Sequence, residues 1–555
     1  MSRLGKNLSA SAILAALVLL QLVFLLHPLA ALVLKSVWSP ERGLSLAPFA
    51  AFLQTPGLAA ASLNTVWISL AVTGITVPCA FAYAYALQRA AIPGRGLWRL
   101  IGLSPLLGPS LVGAIAFIQW FGNQGVLKSW LMGGSIYGPL GIILGTAFAA
   151  FPHALMILLV ALAGADGRLY EASDALGASR WKRFVSVTLP GAKYGLLSAS
   201  MVVFAYAVSE FGVPKVIGGN TPVLAVEIYI QAIGQQNFAR GGMVALLLLI
   251  PVFISSVLER QLSQSQRSAL GAKATPYRIR PEPWRDTGLL LCVLVIATVL
   301  LALLGMTAYT SLIKFWPYNL ELTLHHYTYG LDDAGVGAAY GNSLKLALGT
   351  ALLGTPLAFV GAYLTEKTRA RQSLLKPLYQ LLATLPMGVP GLALGIGCIL
   401  VFNHPQHPLG WLYHTMPLLI AITIVHYFAA THVTAMTALK ALDAEFEAIS
   451  AALKVPQWRT FWRVTLPLCL PAILEIFRYY FINGMTTVSA VVFLYAPDTL
   501  PATVSILNLD EAGELGPAAA MATLIVLTNL LFGALHQWLS ALLLRPQRAW
   551  RTRNN

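Results

Sequence analysis

The chain has 555 residues, of which 57% are hydrophobic and only 10% charged. That is too few charges to cover a soluble fold, where about 25% is usual, and too apolar for a disordered chain. A net charge of +15, from 36 Lys and Arg against 21 Asp and Glu, then points to a membrane protein with basic loops, not to a nucleic-acid binder.

Apolar stretches of about 20 residues, each able to cross a hydrocarbon core about 30 Å thick, recur along the chain. They lie near 12–34, 61–87, 100–121, 139–163, 192–214 and 241–258, and again near 287–312, 341–365, 378–402, 415–438, 468–494 and 515–543. The expected fold is all-α integral membrane with about twelve transmembrane helices. The first stretch follows Arg3 and Lys6, but it is too long for a signal-peptide core and lacks a small-residue cleavage site, so it reads as a retained helix. Several stretches carry internal Pro and Gly, as in Pro105-Leu106-Leu107-Gly108-Pro109, which membrane helices tolerate. Cys79, Cys292, Cys398 and Cys469 all fall inside apolar stretches and read as small buried hydrophobes.

Alternating the spans from a cytoplasmic N-terminus leaves seven cations outside: Lys35, Arg42, Lys128, Lys215, Arg240, Lys314 and Lys345. Arg478 falls within a span, and the remaining Lys and Arg lie inside. This is a strong positive-inside bias. The even span number puts both termini inside, in agreement with the basic tail Arg545, Arg548, Arg551 and Arg553. The inner basic segments also suit anionic membrane lipid.

The chain repeats itself. Asn64-Thr65 has a counterpart in Asn342-Ser343, and Pro78 to Tyr85 matches Pro356 to Tyr363 at an offset of 278. Pro105 and Pro109 match Pro386 and Pro390 at 281; Phe184 and Val187-Thr188-Leu189-Pro190 match Phe461 and Val464-Thr465-Leu466-Pro467 at 277. Each copy has an even number of spans, so the repeat is parallel, with a pathway expected between the halves. The expected organisation is a first repeat over 1–258, a basic cytoplasmic linker over 259–286 that includes Arg260, Arg267, Lys273, Arg278, Arg280 and Arg285, and a second repeat over 287–555.

Each copy carries a distinctive cytoplasmic loop between its fourth and fifth spans. The first runs Glu171-Ala172-Ser173-Asp174-Ala175-Leu176-Gly177 and on to Leu189-Pro190. The second runs Glu447-Ala448 through Lys454 to Leu466-Pro467. The Ala-rich part predicts a short helix, Gly177 a turn at its end, and Pro190 and Pro467 the opening of the next span.

This spacing, Glu-Ala-Ala-x-x-x-Gly followed by Ile-x-Leu-Pro, resembles the signature of permease subunits of bacterial ABC importers. The resemblance covers essentially the whole chain and implies a type I importer permease fold in the inner membrane. It implies that the two loops are coupling helices for two cytoplasmic ATPase subunits, and that an external solute-binding protein delivers the ligand. The first loop fits with Ser173 for the second Ala and Val187 for Ile. Aligned on Leu466-Pro467, the second departs: the family Glu falls on Ala448, the Gly on Lys454, and Glu447 lies one residue early. The two ATPase contacts are therefore expected to differ.

Two stretches are most similar to the 2-aminoethylphosphonate permeases within the iron(III), thiamine and phosphonate group: Glu210 to Gly219, and Thr486 to Tyr495 followed by Asn508 to Gly513. The substrate implied is 2-aminoethylphosphonate, with iron(III) or another small anion importer as the alternative.

Polar groups within spans usually face protein or a water-filled cavity. Tyr206, Ser209 and Glu210, with their counterparts Asn483, Thr486 and Thr487, are candidates to line a pathway; the alternatives are that they satisfy one another or that Glu210 sits at the outer interface. Glu475 with Arg478 reads as an intramembrane pair or a snorkelling Arg. His153, His426 and His432 lie in or beside spans, but His426 and His432 are six apart, poor spacing for one helix face, and no metal site is expected. His325-His326 with Asp332-Asp333 reads as a solvated outer loop or one facing a binding protein. The chain has no Gly-x4-Gly-Lys-Ser/Thr phosphate loop, so ATP would be bound by partner subunits and no cofactor is expected in this chain. The competing classes are an ion-coupled secondary transporter, for which Glu210 and Glu475 are the main intramembrane carboxylates, and an intramembrane enzyme, for which no paired catalytic groups appear.

Overall fold

The computed structural model describes residues 3–39, 43–44, 49, 55–269, 275, 277–328, 336–368, 375–404, 406–443 and 445–544. Arg42, Lys273, Asp332, Asp333 and the basic tail from Arg545 lie outside the described residues.

Among the described residues, ten continuous helices are long and apolar enough to cross a membrane. They are spans 1 (Ala10–Val37), 2 (Gly57–Arg89), 4 (Pro139–Ala163), 5 (Arg180–Ser209), 6 (Phe238–Leu262), 7 (Pro283–Ser311), 8 (Val336–Glu366), 10 (Met416–Lys440), 11 (Gln457–Thr486) and 12 (Leu515–Leu543). The third and ninth positions are bent pairs: Arg95–Leu107 with Leu111–Phe121 at 98°, and Leu375–Gly388 with Gly391–Phe402 at 115°. The bends fall at the repeated prolines. Pro105 and Pro386 each sit in a short 3-10 turn that ends the first helix, and a proline in this place removes an N–H and blocks continuation of the helix. Exposed apolar residues such as Leu19, Leu70, Val160, Val295 and Leu352 stud the long helices, a surface suited to lipid tails.

The described chain forms two compact units. One holds spans 2 to 7 together with Ile506–Thr523. The other holds span 1, Ala334–Ser505 and the rest of span 12. The opening helix of each sequence repeat thus belongs to the unit built mainly from the other repeat. In the first of these units, span 7 packs on span 2 and on Leu111–Phe121, and Trp120 Nε1 donates to the Ala302 carbonyl at 3.2 Å. In the second, span 1 packs on Leu375–Thr384 and span 8; Phe24 stacks on Phe402 at 5.7 Å. Gly397 meets the Pro28 backbone so closely that an added Cβ would lie 2.6 Å from its carbonyl oxygen.

The repeated Asn-Thr and Asn-Ser pairs have one structural purpose, carried out twice. Asn64 Nδ2 donates to the Pro222 carbonyl at 3.0 Å, and Thr65 Oγ1 accepts from the Leu224 amide at 2.9 Å. Asn342 Nδ2 donates to the Asp498 and Leu500 carbonyls at 2.8 and 3.2 Å, and Ser343 Oγ accepts from the Ala502 amide at 2.8 Å. In each unit these side chains fasten the entry of a later helix, Leu224–Tyr229 or Ala502–Glu511, to the second helix of the repeat. Irregular backbone at membrane depth requires such partners.

Candidate functional site

The first loop folds as a helix, Gly167–Ala175, whose Asp166 side chain caps the Arg168 amide at 3.1 Å. A second turn, Arg180–Arg183, leads through a π-helical turn, Phe184–Thr188, into the helix Leu189–Ser209. The second loop repeats this order: Glu445–Ala452, Gln457–Thr460, a π-helical turn Phe461–Thr465, and Leu466–Thr486. Contrary to expectation, Pro190 and Pro467 do not open a span: each lies inside a continuous helix, Arg180–Ser209 or Gln457–Thr486, directly after its π-helical turn, an irregularity of the kind that accommodates a proline's missing N–H.

The turn after each short helix is also the same, although its residue is not. Gly177 has φ +66° and Lys454 has φ +55°. The Ala178 amide donates to Ser173 O at 3.1 Å and the Val455 amide to Ser450 O at 2.9 Å, the reach-back bond of a Schellman motif. A lysine in the left-handed region pays about 1 kcal/mol that glycine does not. Lys454→Gly is therefore expected to stabilise the second loop by up to ~1 kcal/mol and Gly177→Ala to destabilise the first by ~1 kcal/mol. Amide exchange at Val455 and Ala178 reads both, slowing in the first variant and quickening in the second; no change in either would refute the shared turn.

An aromatic trio ties each loop to its unit. Phe184 packs edge-on against Phe81 and Tyr85, at 6.2 and 5.6 Å. Phe461 packs against Phe359 and Tyr363, at 6.1 and 4.7 Å. The repeated Phe seen in the sequence is thus the joint between loop and membrane helix.

Glu171, Ala172 and Gly177 are exposed, as are Ala448 and Lys454, with Leu189 and Pro190 also at the surface. Glu447 is turned inward and pairs with Lys367 at 3.3 Å. Counting by the offset of 277, its structural counterpart is Tyr170, which is buried, and not Glu171. The sequence reading missed the apolar part of the surface. Leu176 and Trp181 are 85% and 73% exposed, and their counterparts Leu453 and Trp458 are 70% and 62% exposed. Leu169 and Phe446 complete the two patches. Their signal was present as conserved spacing between the halves, but a Leu or Trp in a helix reads first as core. Exposed aromatic and aliphatic anchors next to polar groups are typical of protein-binding surfaces.

The structure places the two candidate path triplets in different units, at matching helix ends. Tyr206 packs on His153 at 5.1 Å, and Ser209 Oγ donates to its own helix at Ala205 O, 2.8 Å. Glu210, 8% exposed, accepts from Ser110 Oγ at 2.7 Å and from the Val213 amide at 3.2 Å. In the other unit Asn483 and Thr486 donate back to Tyr479 O and Ile482 O, at 2.8 and 3.0 Å. Thr487 is buried, and its carbonyl accepts from Thr503 Oγ1. Glu475 and Arg478 pair one turn apart on an outward helix face. His432 packs on Tyr379 and Phe428 and His426 on Tyr427. Among the described residues, three or more His, Cys, Asp or Glu never gather at ligand distance. The stretches Glu210 to Gly219 and Asn508 to Gly513 meet: Lys215 Nζ lies 2.7 Å from Glu511 Oε1 and over the Tyr229 ring at 4.9 Å. Beside this pair, burial and the Glu511 charge push Asp510 up to about 6.

A family model described as the binding-protein-dependent transport system inner membrane component matches residues 94–268 and again 352–545. The chain belongs to this family. The two matches span both loops, so each half is a permease repeat, and the many apolar helices are those of a multi-pass inner-membrane component. The chain is 27% identical over 487 residues to a ferric transport system permease protein of Actinobacillus pleuropneumoniae, covering 83% of this chain and 69% of that one. It is 28% identical over 438 residues to a putative ferric transport system permease protein of Haemophilus influenzae, covering 76% and 68%. A sulfate transport system permease protein of Escherichia coli matches 37% of this chain at 25% identity, covering 76% of its own length.

Proposed function

We propose that the chain is the membrane permease of an ATP-driven importer, with one cytoplasmic ATPase subunit docked on each of its two loops and an external solute-binding protein delivering the cargo. The observation that carries this reading is the duplicated surface: the same turn, the same aromatic joint and the same exposed Leu and Trp, built once in each half. A surface helix with no partner has no need to keep two large apolar side chains exposed at the same two positions twice. Both termini and both loops lie on the cytoplasmic side in this reading, as the positive-inside bias requires. The repeats 1–258 and 287–555, joined by 259–286, act as two fused permease subunits, and ATP is bound by the partners.

For the cargo we infer ferric iron, supported by the two ferric relatives, which match 83% and 76% of the chain. The metal is cargo held by the binding protein, so the permease requires no resident ligand set. A second reading, 2-aminoethylphosphonate, rests on the stretches Glu210 to Gly219, Thr486 to Tyr495 and Asn508 to Gly513.

The test is uptake into vesicles that hold the permease and its ATPase, with the binding protein offered either ferric iron or 2-aminoethylphosphonate. ATP-dependent uptake of iron is expected. Uptake that persists without the ATPase defeats the importer reading and favours an ion-coupled carrier. Uptake of the phosphonate alone transfers the cargo to the second reading.

A further inference from the structure

At the inner end of span 2, Arg89 is 2% exposed. Its Nη2 donates to the Leu162 carbonyl at 2.7 Å, in the last turn of span 4. Its Nε donates to Tyr170 Oη at 3.3 Å. Tyr170 belongs to the short helix of the first loop, and its hydroxyl donates onward to Thr188 Oγ1 at 3.1 Å, at the end of the π-helical turn in span 5. The guanidinium also lies over two rings, Tyr170 at 5.0 Å and Tyr277 at 4.6 Å. One cation therefore touches span 2, span 4, the loop helix and the linker.

The second half has the same station in different chemistry. By the offset of 278, Arg89 corresponds to Lys367. Lys367 Nζ donates to the Leu442 carbonyl at 3.1 Å and pairs with Glu447 at 3.3 Å. Glu447 corresponds to Tyr170. A neutral hydroxyl and two aromatic faces around an arginine are replaced by a carboxylate facing a lysine. A guanidinium is weakly hydrated and stacks on rings, whereas an ammonium is a compact charge best met by a carboxylate. Each half thus matches its cation to its partner. This accounts for the second loop's departure from the sequence pattern: Glu447 is the partner of the membrane helix, not a displaced docking residue.

Among the described residues, Thr275, Tyr277, Arg280 and Glu282 of the linker meet the first station. Thr275 accepts at its carbonyl from the Gly167 amide at 2.8 Å and donates from Oγ1 to Asp166 at 3.0 Å. Arg280 pairs with Asp174 at 3.4 Å. Glu282 pairs with Arg180 at 3.0 Å and with Arg183 at 3.8 Å. Between these ties Tyr277 closes the aromatic cage over Arg89. Thr275, Arg280 and Glu282 thus tie the linker to the start, middle and end of the first loop.

We propose that Arg89 and Lys367 are positioning residues that pass movement of each docked loop to the second helix of its repeat, and that the linker, through Tyr277, braces this tie in the first half. The proposal rests on the reading of the two loops as ATPase docking sites and adds the route by which docking is felt in the membrane. A coupling route needs a physical element that both ends bias. The cation provides one, because it is buried and cannot exchange its protein partners for water without a desolvation penalty.

The experiment uses the full chain in complex with its ATPase, with a non-hydrolysable ATP analogue as the probe and amide hydrogen exchange as the readout. In the wild type the analogue is expected to change exchange in the loops, in Tyr83–Ala90 and in Gly361–Thr368. In Arg89→Met the change in Tyr83–Ala90 is expected to fall at least about 5-fold, the lower range of a coupling free energy, while loop 167–190 remains protected by the ATPase and Gly361–Thr368 responds as before. Lys367→Met is expected to give the mirror result. The retained half reports that the chain is folded. Tyr277→Ala, a linker change outside the membrane helices, is expected to move the first half in the same direction by less. The pair Arg89→Lys with Tyr170→Glu, which copies the second half, is expected to restore the response. An Arg89→Met protein that passes the change on as the wild type does overturns the proposal. So does one that loses protection of the loop as well, since Arg89 would then be part of docking. If the wild-type loops gain no protection from the ATPase, it is the docking reading that fails.

Discussion

Glu210→Ala is expected to destabilise the permease by about 3 kcal/mol. The carboxylate is buried where the helix of span 5 ends, and one oxygen accepts from both Ser110 Oγ and the Val213 amide. The first bond holds the start of Leu111–Phe121, the half of the bent pair that follows Pro109. The second holds the short helix Gly212–Ile217, which the chain enters directly after the turn. Alanine leaves the half-buried Ser110 hydroxyl and the buried Val213 amide without an acceptor, the amide at roughly 1–3 kcal/mol and the hydroxyl at less. Gln keeps an acceptor oxygen at the same place, so Glu210→Gln is expected to cost only about 1 kcal/mol, the difference between a charged and a neutral acceptor. Thr487, at the equivalent helix end, supplies its backbone carbonyl to Thr503, so Thr487→Ala is expected to cost under about 1 kcal/mol. Denaturation midpoints of the detergent-solubilised chain check all three. If Glu210→Ala were as stable as Glu210→Gln and transport alone suffered, Glu210 would be a path residue and not a brace.

This contrast marks what a sequence can and cannot show. The number of apolar stretches, the parallel repeat and the place of the two loops follow from periodicity and spacing, because these are properties of chain segments. The bends at Pro105 and Pro386 were visible as residues but not as angles: a proline blocks a helix without saying where the chain goes next. The offset of Glu447 looked like a defect when read along one strand of sequence. Its meaning lies in Lys367, eighty residues away, and side-chain partners at that distance leave no local trace. Compensation hides in the same way. In the first half Tyr83 of span 2 fills the space beside Gly102. In the second, Gly361 of span 8 leaves the space that Tyr379 fills. The tyrosine stands on span 2 in the first half but on Leu375–Thr384 in the second, where by the offset of 281 it aligns with Trp98, so the space is filled from opposite helices in the two copies. Lys454 is a further case: its left-handed backbone is the same as that of Gly177, but the residue type signals no turn.

Gly484→Leu is expected to destabilise the second half by more than about 3 kcal/mol, with Gly484→Ala at about 2 kcal/mol. Gly484 lies in span 11, where an added Cβ would stand 2.8 Å from Ala347 Cα and 3.4 Å from Ala347 N. The obstacle is the backbone of span 8, not the end of a flexible side chain. Two helices therefore touch through their main chains at this point, which membrane helices achieve only through small residues. For the same reason Ala347→Gly is not expected to rescue Gly484→Ala, because the clashing atom is Cα and remains. Gly533 supplies the internal control. An added Cβ there meets nothing within 4 Å, so Gly533→Ala should stabilise by ~0.5–1 kcal/mol through helix propensity alone. Opposite signs at Gly484 and Gly533, read as denaturation midpoints, would establish the close approach; equal effects would refute it. Span 11 is also the helix that continues from the second loop through the π-helical turn at Phe461–Thr465. The loop's aromatic joint, Phe461 on Phe359 and Tyr363, joins the same two helices nearer their other end, so both contacts set how span 11 lies on span 8. Gly484→Ala should then lower ATP-driven uptake by more than its stability loss accounts for, and uptake normalised to folded protein measures that excess.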